Sequence, residues 1–205
     1  MIAASPATTR DRLLLAAEEL FAERGIDAVS LAEITKAAGS NNTGAVHHHF
    51  GGREELLAAV VEAHRRSLDA RREDLLDELG STPPPTTLDV VRCLVLPMVE
   101  LLDEPRGRAY LSIAAQRALR PRPPDRAPRA VVRRVVELEG HDLRRPPVAG
   151  FLADLAELTA ISALAQRARV ETEQGRNAGL GRDEFVRQLL TALTRIVTPT
   201  SEDAP

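Results

Sequence analysis

The chain has no tryptophan, one tyrosine and four phenylalanines among its 205 residues. Strands favour aromatic and β-branched side chains, so this scarcity argues against an all-β fold. It argues equally against a module that stacks single-stranded bases on aromatic platforms. Cysteine occurs once, at Cys93, which excludes an internal disulfide and fits the cytoplasm. No run of about 18 apolar residues is present, so no segment is expected to span a membrane. Met1–Arg12 lacks the basic flank and apolar stretch of a signal peptide. Lysine also occurs once, at Lys36, beside 26 arginines. The net charge of −3 is not that of a strongly basic nucleic-acid coat.

What is abundant is leucine (28) and alanine (31), both strong helix formers. A hydrophobic fraction of 43% is enough for a packed core. The expected fold is therefore all-α, with about nine helices read from periodicity and breakers. Leu13, Ala17, Leu20 and Phe21 share one face of a first helix from Thr8 to Arg24, stopped by Gly25. Ser30-Leu-Ala-Glu33 is a capping box, with Val29 and Ile34 placed as a hydrophobic staple for a short second helix ending at Gly39. A third short helix is expected from Asn41 or Asn42 to His49. After Gly51-Gly52, Arg53 opens a long helix to Leu79. Further helices are expected over Leu88–Asp103 with a kink at Pro97, Gly107–Arg120, Arg129–Glu139, Val148–Gln174 and Arg182–Val197. The domain division expected is 8–60 and 61–205.

The segment Val29–Arg53 is two short helices about a glycine turn, the layout of a helix-turn-helix. With Val46 and Phe50 facing inward, Asn41, Gly44, Ala45, His47 and His48 fall on the outward side. Asparagine reads adenine edges, small residues let the backbone approach, and histidine reaches phosphate or base acceptors. Between Ile34 and Arg53 there are two cations, three histidines and no acid. The rest of the first 55 residues holds eight acids and three arginines. The acid-free window thus coincides with the expected DNA face. Gly51-Gly52 is read as the start of the fourth helix, with its N–H groups and Arg53 aimed at the DNA backbone.

Ala17-Glu-Glu-Leu20-Phe21, Gly25, Val29-Ser30-Leu31-Ala-Glu-Ile34, Ala37-Ala38-Gly39, His49-Phe50 and Arg53-Glu-Glu-Leu56 together resemble the DNA-binding domain of the TetR family of bacterial transcriptional regulators. The resemblance covers about residues 8–60. Asn41-Asn42-Thr-Gly-Ala-Val-His-His-His-Phe-Gly resembles a subgroup whose recognition segment reads N-N-S-A-V-x-Y-H-F-G, with His48 in place of its tyrosine and Arg53 in place of the commoner lysine. Window and resemblance give as DNA-contacting residues Ser30, Lys36, Asn41, Asn42, Thr43, Gly44, Ala45, His47, His48 and Arg53.

Three consecutive histidines point about 100° apart on a helix and cannot converge on one ion, so no metal is expected. No Ser/His/Asp or Cys/His set stands out, so neither catalysis nor a cofactor is expected. In 182–197, Phe185, Leu189, Leu193 and Ile196 form one stripe, and Val186, Leu190, Leu193 and Val197 a second beside it. Such breadth implies burial on two sides. The resemblance implies that the last two helices build a four-helix dimer interface, with Leu155, Leu158, Phe185, Leu189, Leu193 and Ile196 in it. An apolar effector pocket is expected in the C-terminal part, with Met98, Tyr110, Gln116, His141 and Phe151 around a small ligand. The expected function is a homodimeric regulator, a repressor released from a pseudo-palindromic DNA operator by that ligand. The alternative is a helical small-molecule sensor that no longer reads specific DNA.

Overall fold

The computed structural model describes residues 8–40, 42, 44–80, 83–120 and 146–198, without the side chains of 146–150. Every regular element among them is helical. They are α1 (Thr9–Arg24), α2 (Leu31–Ala37), α3 (Ala45–Phe50), α4 (Arg53–Leu79), α5 (Thr87–Glu100), a 3₁₀ turn (Leu101–Asp103), α6 (Pro105–Ala118), α7 (Pro146–Gln174) and α8 (Arg182–Val197). The expected helix at Arg129–Glu139 lies outside the described residues. α1 to α4 make the helix-turn-helix head, and α5 to α8 with the rest of α4 make the body.

Helix starts follow from capping chemistry. Thr8 with Asp11, Ser30 with Glu33, and Thr86 with Asp89 form reciprocal capping boxes that satisfy otherwise orphaned N–H groups. Pro105 sits at the first position of α6, where its missing N–H is not needed, so this helix begins two residues before Gly107. α3 begins later than its sequence suggests, at Ala45 rather than Asn41 or Asn42. The Asn42 side chain accepts the Gly44 N–H at 2.9 Å, and the Asn42 N–H donates to Ser40 Oγ at 3.2 Å. These local bonds offer the backbone an alternative to helix. α5 ends at Glu100, its last expected turn tightening into the 3₁₀ segment, and Pro97 is accommodated inside it.

The buried apolar side chains fall into two clusters. The first holds Leu13, Ala17 and Phe21 of α1, Ile26 and Val29 of the following loop, Ile34, Val46, and Leu56, Leu57 and Val60 of α4. Ile113 of α6 is fully buried in this same cluster. The second holds Val90, Leu94 and Met98 of α5, Tyr110, Leu111 and Ala114 of α6, Ala160 and Leu164 of α7, and Leu189 and Leu193 of α8. Burial of each large aliphatic side chain stabilises the fold by roughly 1.5–3 kcal/mol.

A buried charged group sits at the seam between head and body. Glu18 of α1 is only 2% exposed. It accepts from His64 Nε2 of α4 at 3.0 Å and from Arg106 Nη2 of α6 at 2.7 Å. The His64 ring stacks on Tyr110 at 4.8 Å. Burial raises the cost of the Glu18 charge, but the hydrogen bonds from His64 and Arg106 outweigh it and hold the carboxyl below its ordinary range. A depressed carboxyl stabilises the fold above its unfolded pKa, and that contribution is lost as pH falls. Glu18→Gln should cost about 2 kcal/mol at neutral pH, the scale of a charged hydrogen bond. Arg106 is half-exposed and can turn to water, which limits the loss. In thermal unfolding, the gap between parent and variant should narrow below pH 4.5, the ordinary glutamate value.

Candidate nucleic-acid interface

The turn between α2 and α3 depends on one glycine. Gly39 has φ +67°, a left-handed conformation that costs other residues about 1–2 kcal/mol. That conformation lets Ser40 N–H reach Thr35 O at 3.0 Å and Gly39 N–H reach Lys36 O at 3.0 Å, the paired bonds of a Schellman stop. The chain then enters α3 at an angle to α2.

α3 presents two faces. Ala45 and Val46 are buried, and His49 and Phe50, one turn on, are half-buried. His47 and His48 are exposed. The buried arc of α3 is wider than Val46 and Phe50 alone and takes in Ala45 at 3% exposure, so Ala45 is not on the outward face where the pattern puts it. His47 Nδ1 lies 3.1 Å from Gly51 O. A carbonyl can only accept, so this contact requires Nδ1 as the donor and leaves Nε2 out of it. Lys36, Asn42 and Gly44 are exposed as well. Ser30 is exposed too, but its hydroxyl is engaged in the α2 cap with Glu33 at 2.7 Å. The same cap and Arg24, at 2.8 Å, lower the Glu33 carboxyl to about 2, so the start of α2 carries a firmly ionised acid. Asn41 and Thr43 lie outside the described residues.

Arg53 takes a different place from the one its position suggests. Its guanidinium turns inward, donating to the carbonyls of Ile26 and Val29, and stands 5.6 Å from the Phe21 ring centroid. It braces the α1–α2 loop from α4. Arg10, which the sequence pattern did not single out, lies over the Phe50 ring at 4.9 Å and is exposed beside the end of α3. An arginine two residues into an N-terminal helix carries no sequence signal of such a position.

The residues expected around an effector do not converge. Met98 and Tyr110 are packed in the body core at 1% and 4% exposure. Phe151 is 63% exposed on the outer side of α7. His141 lies outside the described residues. Gln116 lines an open groove of about 750 Å³ between α1, α6 and α7, with Glu19, Glu23, Ser112, Arg169 and Thr172 among its walls. Among the expected dimer residues, Leu189 and Leu193 pack inside the body, because both apolar stripes of α8 are covered by the chain's own helices. Phe185 and Ile196 are partly buried against that core. Leu155 is exposed and Leu158 half-buried on α7, one helical stripe with Phe151.

Among the described residues, no group of three His, Cys, Asp or Glu is arranged to hold a metal. No described helix is long and apolar enough to cross a membrane. Residues 13–60 match the pattern of the bacterial regulatory proteins, tetR family, and so carry that family's N-terminal domain. The fold of the chain is that of solved regulators of this kind. A protein of Shewanella sp. PV-4 described as a tetR family transcription regulator aligns over 93% of this chain and 96% of its own, at 16% identity and TM-score 0.56. NalD of Pseudomonas aeruginosa, the secondary repressor of the MexAB-OprM multidrug efflux pump, aligns over 91% of this chain and 95% of its own, at 22% identity and TM-score 0.55. A comparison with curated proteins gives no match.

Arg53→Ala should lower the stability of the head by about 1–3 kcal/mol by leaving two loop carbonyls without their donor. Thermal unfolding reads this directly. Arg53→Lys, with one ammonium in place of a fork, should recover only part of it.

Proposed function

We propose that the protein is a homodimeric transcriptional regulator that binds a pseudo-palindromic duplex through α3 and is released from it by a small molecule. The observation that carries this is the stretch from Ile34 to Arg53 of the helix-turn-helix, which holds no acid and on which Lys36, Asn42, His47 and His48 are all exposed. The two exposed histidines of α3, with Asn42 just before it, suit the major groove, where asparagine pairs with adenine and histidine reaches acceptors or donors according to its ring nitrogen. Lys36 and Arg10 flank α3 and would meet phosphates, which fix register without reading sequence. Two heads spaced about 34–36 Å apart would enter successive major grooves.

The dimer face we assign is the outer stripe of α7. Phe151 and Leu155 are among the few large apolar side chains exposed on the described surface. Exposed aromatic and aliphatic side chains at helical spacing are the usual core of such an interface. Control by a ligand is supported by the groove that Gln116 lines, because it opens between the head and the body. A molecule bound there acts only by its differential affinity for the DNA-competent and released states.

Binding to a duplex selected by the protein from a random pool tests the DNA reading. Lys36→Ala should weaken all sequences alike and reduce the salt slope by about 1. His48→Ala and Asn42→Ala should instead change which bases are preferred. A parent protein whose DNA binding is indifferent to sequence and salt would remove the proposal. For the dimer, Leu155→Glu should give a folded monomer in sedimentation at micromolar concentration. Leu193→Glu should unfold the chain, since that site lies within one subunit.

A further inference from the structure

The loop between α1 and α2 is short, and Ile26 sits near its start with its side chain 1% exposed. Both polar groups of the Ile26 residue are held by side chains from elsewhere. Its carbonyl accepts from Arg53 of α4. Its N–H donates to Gln116 Oε1 of α6 at 2.9 Å. Gln116 in turn donates through Nε2 to Ser112 O, one turn back on α6, at 3.3 Å. A carbonyl on one side and an N–H on the other fix which way the amide lies, so the side chain is oriented rather than merely near. The adjacent Gly25 has φ +93°, and a Cβ there would lie 3.5 Å from Gln116 Oε1. Glycine lets α1 end and places the Ile26 N–H in line with the amide.

Four residues after Ile26, Ser30 caps α2. The loop therefore sets where α2 begins and, through the Gly39 stop, where α3 points. α6, with Arg120 two residues past its end, reaches this loop by three routes. Ile113 is buried in the head's core, Gln116 holds Ile26, and Arg120 pairs with Asp27 of the loop and with Glu54 at the start of α4. Of these, Asp27 is exposed and its pair is screened, while Gln116 satisfies a donor whose residue is buried.

We propose that Gln116 is a positioning residue for DNA binding: it fixes the α1–α2 loop, and through it α3, to the last turns of α6. A displacement of α6 is then felt at the recognition helix through the loop, in parallel with α4. This inference rests on the DNA-binding reading above, and it also makes a claim about the loop that needs no DNA. Without the bond, the head samples orientations in which α3 is misaligned. The apparent affinity for the preferred duplex falls by the fraction that remains aligned. Binding to random duplex depends on charge and should change little.

The test compares the parent with Gln116→Met, which keeps length and shape but has only a weakly accepting sulfur and no donor, and Gln116→Glu, which keeps an oxygen for Ile26 but loses the donor to Ser112. Each is assayed against the duplex selected by the parent, against random duplex, for thermal midpoint, and for hydrogen exchange at the Ile26 amide. Gln116→Met should weaken the selected duplex about tenfold, leave random duplex within twofold, and speed exchange at Ile26 without a matching fall in midpoint. Gln116→Glu should lie between it and the parent. Gln116→Met binding like the parent, or both variants losing selected and random duplex together with a lowered midpoint, overturns the proposal. If the parent itself shows no sequence preference, the DNA reading fails instead. Exchange at Ile26 then still decides whether Gln116 holds the loop.

Discussion

The sharing of α6 between two cores constrains everything else in this molecule. α6 gives Ile113 to the apolar cluster of the head, and Tyr110, Leu111 and Ala114 to that of the body. Side chains on successive turns of one helix cannot move independently, because close-packed interiors shift between discrete arrangements rather than deforming smoothly. The head is thus not a domain on a flexible tether. Its orientation is set by where α6 lies, and α4 runs continuously from the head into the body as a second strut. The Glu18, His64 and Arg106 cluster crosses the same seam. Its value lies less in net stabilisation than in register, since a buried carboxylate tolerates few positions of its partners.

Much of this was legible in the sequence, and the parts that were not share a cause. Capping residues, glycine stops and apolar spacing act within a few residues of themselves, so α1, α2, α4 and α8 fall where their local signals put them, within a residue or two. α3 was misplaced at its start because Asn42 forms a turn with Gly44, and asparagine before a helix serves equally as a cap or as a turn. Ala45 lies inward for a separate reason: the buried face of α3 spans Ala45, Val46, His49 and Phe50, and spacing from Val46 and Phe50 alone draws it too narrow. The breadth of α8 signalled burial on two sides correctly as a pattern. It carried no information on whether the second side met a partner or the chain's own α5 and α7. Leu193 met the chain itself.

The roles of Arg53 and Gln116 were hidden for a different reason. Arg53 reaches back 24 and 27 residues to Val29 and Ile26, and Gln116 reaches back 90. No periodicity connects such positions. A cation beside a helix expected to face DNA and an amide in an apolar helix suggest ligands first, because exposure is the commoner fate of both. The backbone required otherwise: a buried loop peptide must find a donor and an acceptor somewhere, and these side chains were within reach. Gln116 nevertheless lines a groove between head and body, so its sequence-level association with ligand control and its structural role meet at one place.

The far end of the body shows the same reliance on arginine to complete backbone bonding. Arg167 of α7 donates to the carbonyls of Arg176, Ala178 and Leu180, and pairs with Glu171 at 2.6 Å, while Arg182 pairs with Glu171 and Asp103. Burial alone would push the Glu171 carboxyl up, but Arg182 and Arg167 hold it down. This network folds the glycine-rich α7–α8 connection back onto the 3₁₀ turn that precedes α6. A single residue, Glu104, separates the turn carrying Asp103 from Pro105, the first residue of α6. The α7–α8 pair is therefore anchored to the N-terminal end of α6, as the α1–α2 loop is anchored to its C-terminal end. With a partner subunit seated on the α7 stripe, the orientation of α7 would be fixed relative to its twin. The rigid path from that interface to each recognition helix would then run through α6 from end to end, which is the geometry that a fixed spacing between two DNA-binding heads demands.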